Sequence, residues 1–231
     1  MNLERRDSSG GVEAGRDVPL LGFYAEAVAR GEVTLISVGP QCATAAILQK
    51  LGLRQAAFPF DWVFSSLAMV CHCLEDDFRT FLDPAEHEPV PLHLRKKPKI
   101  NRAHHRFYRT MGVELVFNHH EMPASLPHFQ RAVERFRTAA NPVFLYVYRK
   151  HPPSPEVLEL ARSRLRGPLL VVQVIPAEVI GFHQESDRWI FRSRGGVTPL
   201  GLCDASDEVA FAAWLTSRLP SLPAPARDRS L

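Results

Sequence analysis

Cysteine, histidine and aspartate can supply a nucleophile, a base and a partner for that base, and this chain sets each at a junction between elements. Cys42 ends the run Ile36-Ser37-Val38-Gly39-Pro40-Gln41-Cys42, where an apolar strand stops at a glycine turn and a helix opens. A helix start presents unpaired backbone N–H groups and the positive end of the helix dipole. Both favour thiolate over thiol, and the thiolate is the reactive form of cysteine. The plain alternative is a small apolar residue packing a helix start. In Phe117-Asn118-His119-His120-Glu121, His119 and His120 offer a general base, with Asn118 or Glu121 to orient it; the same pair would also suit a surface turn. Asp61 lies among aromatic residues in Ala57-Phe58-Pro59-Phe60-Asp61-Trp62, so it is either hydrogen-bonded or perturbed in pKa. It could orient His119, hold a substrate hydroxyl beside Trp62, or simply close a turn. Gln41, with the backbone N–H groups of Cys42 and Ala43, forms a candidate oxyanion site. Arg149, directly after an apolar strand, is the best-placed anion contact.

Elements that alternate along the chain must position these side chains. Leu20–Arg30 has helical spacing, Val33–Val38 reads as an apolar strand, and Cys42–Leu51 as a helix capped by Gly52. Ala56–Phe60 is extended, and Ser65–Phe81 is a helix with an apolar face of Leu67, Val70, Cys71, Leu74, Phe78 and Phe81. A polar stretch follows to about Arg102. The pattern then predicts a strand at Gly112–Phe117, a helix at Leu126–Ala140 and a buried strand at Pro142–Tyr148. Beyond these come a helix at Pro155–Leu165, a strand at Pro168–Ile175, two short paired strands within Phe182–Ser193 and a helix at Ser206–Arg218. Apolar strands separated by helices predict an α/β fold: a single domain with a mostly parallel, doubly wound sheet and helices on both faces, a three-layer sandwich. Ligands in such folds bind at the carboxyl ends of the strands. Cys42, the pair His119 and His120, and Arg149 all follow predicted strands.

Composition narrows the function classes. With 231 residues, 45% hydrophobic and 23% charged, the chain fits one globular domain. Residues 1–18 are polar and glycine-rich and read as a disordered tail, residues 19–219 as the domain, and the proline-rich residues 220–231 as a second tail. No apolar segment reaches membrane-spanning length, and the N-terminus lacks the apolar core of a secretory signal. The four cysteines follow no disulfide-scaffold spacing, which points to a reducing cytoplasm. A net charge of only +3 argues against nucleic acid as a partner. The basic run Arg95-Lys96-Lys97-Pro98-Lys99-Ile100-Asn101-Arg102 could grip phosphate or a charged glycan, but reads first as a solvated loop. Cys71-His72-Cys73 is not a metal site, because alternate helical residues diverge and no second ligand pair follows. Nothing calls for a cofactor or a metal.

The strand ending in Gly39-Pro40-Gln41-Cys42, then Leu51-Gly52-Leu53-Arg54, then Phe58-Pro59-Phe60-Asp61-Trp62 resemble, in order and spacing, a bacterial family of unknown function labelled papain-like cysteine peptidases. Its later Phe-x-His-Asp element is matched by Phe117-Asn118-His119, and Arg131, Arg135 and Arg137 suit the arginine-rich helix that follows. The resemblance covers about residues 33–82 well and 112–148 fairly. It implies Cys42 as nucleophile, His119 as general base and Asp61 near the site. Two departures stand out: Pro40-Gln41 replaces Ser-Asn, and His120 replaces the acidic residue after the histidine. The alternation of strands and helices looks closer to a doubly wound hydrolase, like the SGNH-type esterases, than to papain.

The chain therefore reads as a cysteine-dependent hydrolase or acyl-transfer enzyme acting on a small-molecule, glycan or peptide substrate. A non-catalytic glycan- or nucleotide-binding module is the alternative from another class. A transferase in surface-polysaccharide assembly is a third, resting on Arg149 and the basic run.

Overall fold

The computed structural model describes residues 32–95 and 102–219. The expected helix at 20–30, both tails and Lys96–Asn101 of the basic run lie outside the described residues.

The longest apolar run of the chain becomes its central strand. Strand β4 (Pro142–Tyr148) is buried at every position. On one side it pairs in parallel with β1 (Thr34–Ser37), Ile36 opposite Phe144. On the other it pairs in parallel with β5 (Leu169–Pro176), Tyr146 opposite Val171. β5 pairs in parallel with β7 (Arg188–Ser193), and β6 (Gly181–Glu185) closes the edge antiparallel to β7. The chain is thus a mixed α/β protein with a mostly parallel five-stranded sheet in the order β1-β4-β5-β7-β6. The hairpin expected within 182–193 is the β6–β7 pair.

Side chains alternate across this sheet, and each face has its own apolar layer. Ile36, Val38, Phe144, Tyr146 and Tyr148 point to one layer. There they meet helices α2 (Leu67–Glu75), α5 (Leu126–Thr138) and α6 (Pro155–Arg164). Val33, Leu35, Val143, Leu145 and Val147 point to the other, against α1 (Cys42–Lys50) and α7 (Ala205–Thr216). A second antiparallel pair, β2 (His87–Pro89) with β3 (Ala103–His105), lies apart from the main sheet. Short α4 (Arg106–Thr110) follows it directly. No helix among the described residues is long and apolar enough to cross a membrane.

Two expected elements differ. The helix expected over 65–81 stops at Glu75 and restarts as α3 (Arg79–Leu82), because Asp77 and Phe78 turn left-handed at φ 54° and 60°. Phe78 N–H reaches back to the Cys73 carbonyl at 2.7 Å, and the Asp76 carboxylate takes Thr80 N–H at 2.8 Å, so both helix ends are satisfied. The strand expected at 112–117 is absent. The Tyr108 carbonyl instead accepts from both Met111 and Val113, and Gly112 takes φ 81° to close that turn. Only Phe117 makes a β-bridge, to Ala103 of the small pair. His119 and His120 consequently leave the small sheet, not a strand of the main one.

Candidate functional site

Cys42 is the first residue of α1, as its sequence position predicts. Gln41 precedes it in extended conformation, and its side chain makes no capping bond to the helix. The first-turn amides are therefore left uncapped by the residue best placed to cap them. Thr44 fastens the turn, donating to the Gly39 carbonyl at 2.8 Å and accepting Val147 N–H at 3.2 Å. Cys42 as a residue is only 2% exposed. Burial pushes its pKa up; its own backbone N–H pulls the other way, and the nearby Asp61 charge raises it further. The helix start thus acts in the expected direction but is outweighed, and the resting sulfur is a thiol.

Asp61 is buried and serves as a three-point acceptor. Phe58 N–H and Arg54 Nε each donate to its Oδ2 at 2.9 Å, with Arg54 Nη2 also at 2.9 Å. Burial raises its pKa to about 6, against the lowering effects of the Phe58 N–H, Arg54 and Arg135. Arg54 also lies over the Trp62 ring, 5.4 Å from its centroid. Arg135 donates to the Ala57 carbonyl, so the arginine-rich helix braces the aromatic block from behind. Asp61, Arg54 and Trp62 form one connected group, and the Asp61 charge is felt at Cys42.

The two histidines belong to a neighbouring cluster. His119 is exposed, and its Nε2 accepts from the Asn118 side-chain amide at 2.9 Å, which puts its ring proton on Nδ1. Desolvation, then Arg102, lowers its pKa. His120 stacks on His128 with ring centroids 5.6 Å apart and meets Phe129 edge-on. Burial and the two neighbouring imidazoles lower its pKa to about 4. Among the described residues no hydrogen bond joins either histidine to Cys42 or Asp61. His128 is the histidine on which Arg54, Arg131 and Arg135 all act, lowering its pKa after burial does. The sequence offered no sign of His128 beyond its place on the arginine-rich helix.

A cleft of about 900 Å³ opens at the carboxyl ends of β1 and β4. Gln41 and Arg149 both line it, each directly after a strand of the main sheet or the turn that follows it. Cys42 is not among its lining residues, although both its neighbours, Gln41 and Ala43, are. Ser65, Tyr146 and His151 also line it and were not singled out by sequence. Ser65 is brought there by its N–H, which donates to the Pro40 carbonyl at 3.0 Å. No group of three or more His, Cys, Asp or Glu among the described residues is arranged to hold a metal. Cys73 instead meets the Tyr108 hydroxyl at 3.1 Å, and His72 Nδ1 meets it at 3.2 Å.

Comparison with known proteins places this site in a family context. An uncharacterized protein of Acanthamoeba polyphaga mimivirus, R408, is 41% identical over 51 residues, which is 22% of this chain. The match spans only 23% of that viral protein's length. No solved structure matches the chain. A family pattern covers residues 33–151, from β1 through Cys42, Asp61, His119 and β4 to the cleft residues Arg149–His151. The chain belongs to the family described as "Putative papain-like cysteine peptidase (DUF1796)".

Proposed function

We propose that the protein is a cysteine-dependent hydrolase or acyl-transfer enzyme of the papain-like peptidase kind, with Cys42 as nucleophile and His119 as base. The position of Cys42 carries this reading: it opens α1 behind a cleft at the sheet's carboxyl edge, within the residues that define the family. With helices against both faces of a mostly parallel sheet, we read the fold as a doubly wound three-layer hydrolase fold, and its free cysteines as suited to a reducing cytoplasm.

A protonated resting thiol requires a base at the moment of attack rather than a standing thiolate. His119 has a lowered pKa and is neutral at pH 7, the charge state a base needs. Its Nε2 lone pair is held by Asn118, so that amide must release it first. Cys42 Sγ then attacks the acyl carbonyl, its proton passes to the imidazole, and the oxyanion accepts from first-turn amides and Gln41. The leaving group takes the proton back, and water or another acceptor cleaves the thioester. Asp61 is a positioning residue beside the thiol, and Trp62, His120 and Arg149 are substrate contacts. A peptide, glycan ester or small acyl compound fits this chemistry.

Cys42→Ser and His119→Ala should each abolish turnover across a panel of acyl esters, thioesters and peptides while thermal unfolding stays unchanged. Retained activity in either variant overturns the assignment.

The burial of the Cys42 thiol favours a second reading, a non-catalytic glycan- or nucleotide-binding module with a structural cysteine. A thiol-directed acyl probe separates the two. Modification of Cys42 in the folded protein supports the enzyme, whereas modification confined to the exposed Cys203 supports the binding module.

A further inference from the structure

The cleft at the carboxyl ends of β1 and β4 has an electrostatic character that the family relationship does not explain. Arg149, Lys150 and His151 follow β4 without interruption and all line it. Arg149 and Lys150 make no side-chain ion pair among the described residues, so their charge is uncommitted. Glu114, the acidic residue among those lining it, lies 3.4 Å from Arg109 Nε and 3.7 Å from His104 Nδ1. The cleft is thus lined by two cations with no ion pair among the described residues and by a carboxylate that has a guanidinium beside it.

Neutral donors converge on the same space. Ser65 is 7% exposed and lines the cleft, and its buried hydroxyl has no hydrogen-bond partner. A buried hydroxyl without a partner costs free energy, so a ligand oxygen that accepts from it recovers that cost. Gln41, free of any capping duty, and the opening turn of α1 at Ala43 stand alongside. Tyr146 gives the cleft an apolar wall, its ring packed close to Gly39. Cations at the rim, an unsatisfied hydroxyl within and an aromatic wall together describe a receptor for an oxyanion attached to an apolar or planar body.

We propose that this cleft binds the anionic group of the ligand, a carboxylate or phosphate, with Arg149 and Lys150 pairing its charge and Ser65 donating to one of its oxygens. As a statement about substrate it rests on the hydrolase reading: the preferred acyl compound would carry a negative charge near the bond to be cleaved. As a statement about binding it stands without that reading, and the experiment keeps the two apart.

Binding is measured by isothermal titration calorimetry on the full chain with N-benzoylglycine, its uncharged methyl ester and phenyl phosphate, at low and at high salt. The two anions are expected to bind and the ester not, with affinity falling as salt rises. Whichever anion binds more tightly identifies carboxylate or phosphate as the group recognised. Replacing both Arg149 and Lys150 by Ala should weaken binding by roughly tenfold or more without change in thermal unfolding, and Ser65→Ala by several-fold with a melting temperature no lower than that of the unmodified chain. Cys42→Ala should bind as the unmodified chain does even if turnover is lost. Equal binding of acid and ester, no binding of either anion, or unchanged affinity in the Arg149/Lys150 variant each overturns the proposal. None of these results bears on whether Cys42 is a nucleophile.

Discussion

Asp61 carries a carboxylate where burial alone would neutralise it, and Arg54 is the main charge opposing that tendency. In the folded chain its pKa stands at about 6 against an ordinary 3.8. The folded state therefore keeps this proton to a higher pH than the unfolded chain does. Its own contribution to stability falls as pH rises from about 4 to about 6 and then stays level, a change of roughly 3 kcal/mol, while His120, with its pKa lowered to about 4, contributes in the opposite sense. Arg54→Ala removes the counter-charge and two donors, which drives the carboxyl pKa higher still. The variant should lose about 3 kcal/mol at pH 8, where a buried carboxylate is left with one backbone donor. At pH 5 the acid is neutral and the loss should shrink well below that. Urea unfolding at both pH values checks this, and an equal loss at each would mean that Arg54 acts by packing alone. At this scale the sequence was partly legible. An aspartate among aromatic residues announced a perturbed or satisfied carboxyl, but its partner seven residues earlier was visible only as part of a motif. The depth of Cys42 was not legible at all, because a helix start says which amides are free and nothing about what covers the side chain.

The turn between β1 and α1 shows how tightly one element constrains another. Gly39 has φ 107°, and a Cβ placed there would come within 2.1 Å of the Ser65 hydroxyl at the approach to α2. Gly39→Ala meets two separate costs, a backbone conformation unsuited to alanine and a collision with Ser65. Destabilisation of about 2 kcal/mol or more is expected, read as a drop in melting temperature of about 5 °C. Measured against Ser65→Ala alone, Gly39→Ala should then cost only the backbone part, and no remaining cost would show that the conformation costs nothing. Element type was largely readable: β1, α1, α5, β4, α6, β5, the β6–β7 hairpin and α7 fall within a few residues of their predicted spans. The failures share a cause. A strand at 112–117 and an unbroken helix at 65–81 follow from apolar spacing, yet both are overridden by local turns. Tyr108 collects two amides in the first case, and Phe78 bonds back to Cys73 in the second. Apolar spacing records which side chains are buried and not which carbonyl an amide finds.

At the scale of the whole molecule, stability divides between the two apolar layers. Phe81 stands centrally in the first, with its ring 5.5–6.4 Å from those of Phe60, Phe78, Tyr108, Phe117 and Phe129. Phe81→Ala should cost about 3–5 kcal/mol by guanidinium unfolding. Leu160→Ala, on a residue 41% exposed, should stay within about 0.5 kcal/mol. Comparable losses would mean that the aromatic cluster does not hold this layer together. The second layer leads elsewhere. Leu35, Val143, Leu145 and Val147, on the back of β1 and β4, share their layer with Val172 and Phe191 of the same sheet and with Phe211, Trp214 and Leu215 of α7. All five of those partners lie beyond position 151, where the family pattern ends. The residues that the family pattern covers and the residues that complete this face of the sheet are therefore different stretches of one chain. The layer behind Cys42 and its strand is completed only when the last third of the chain is in place.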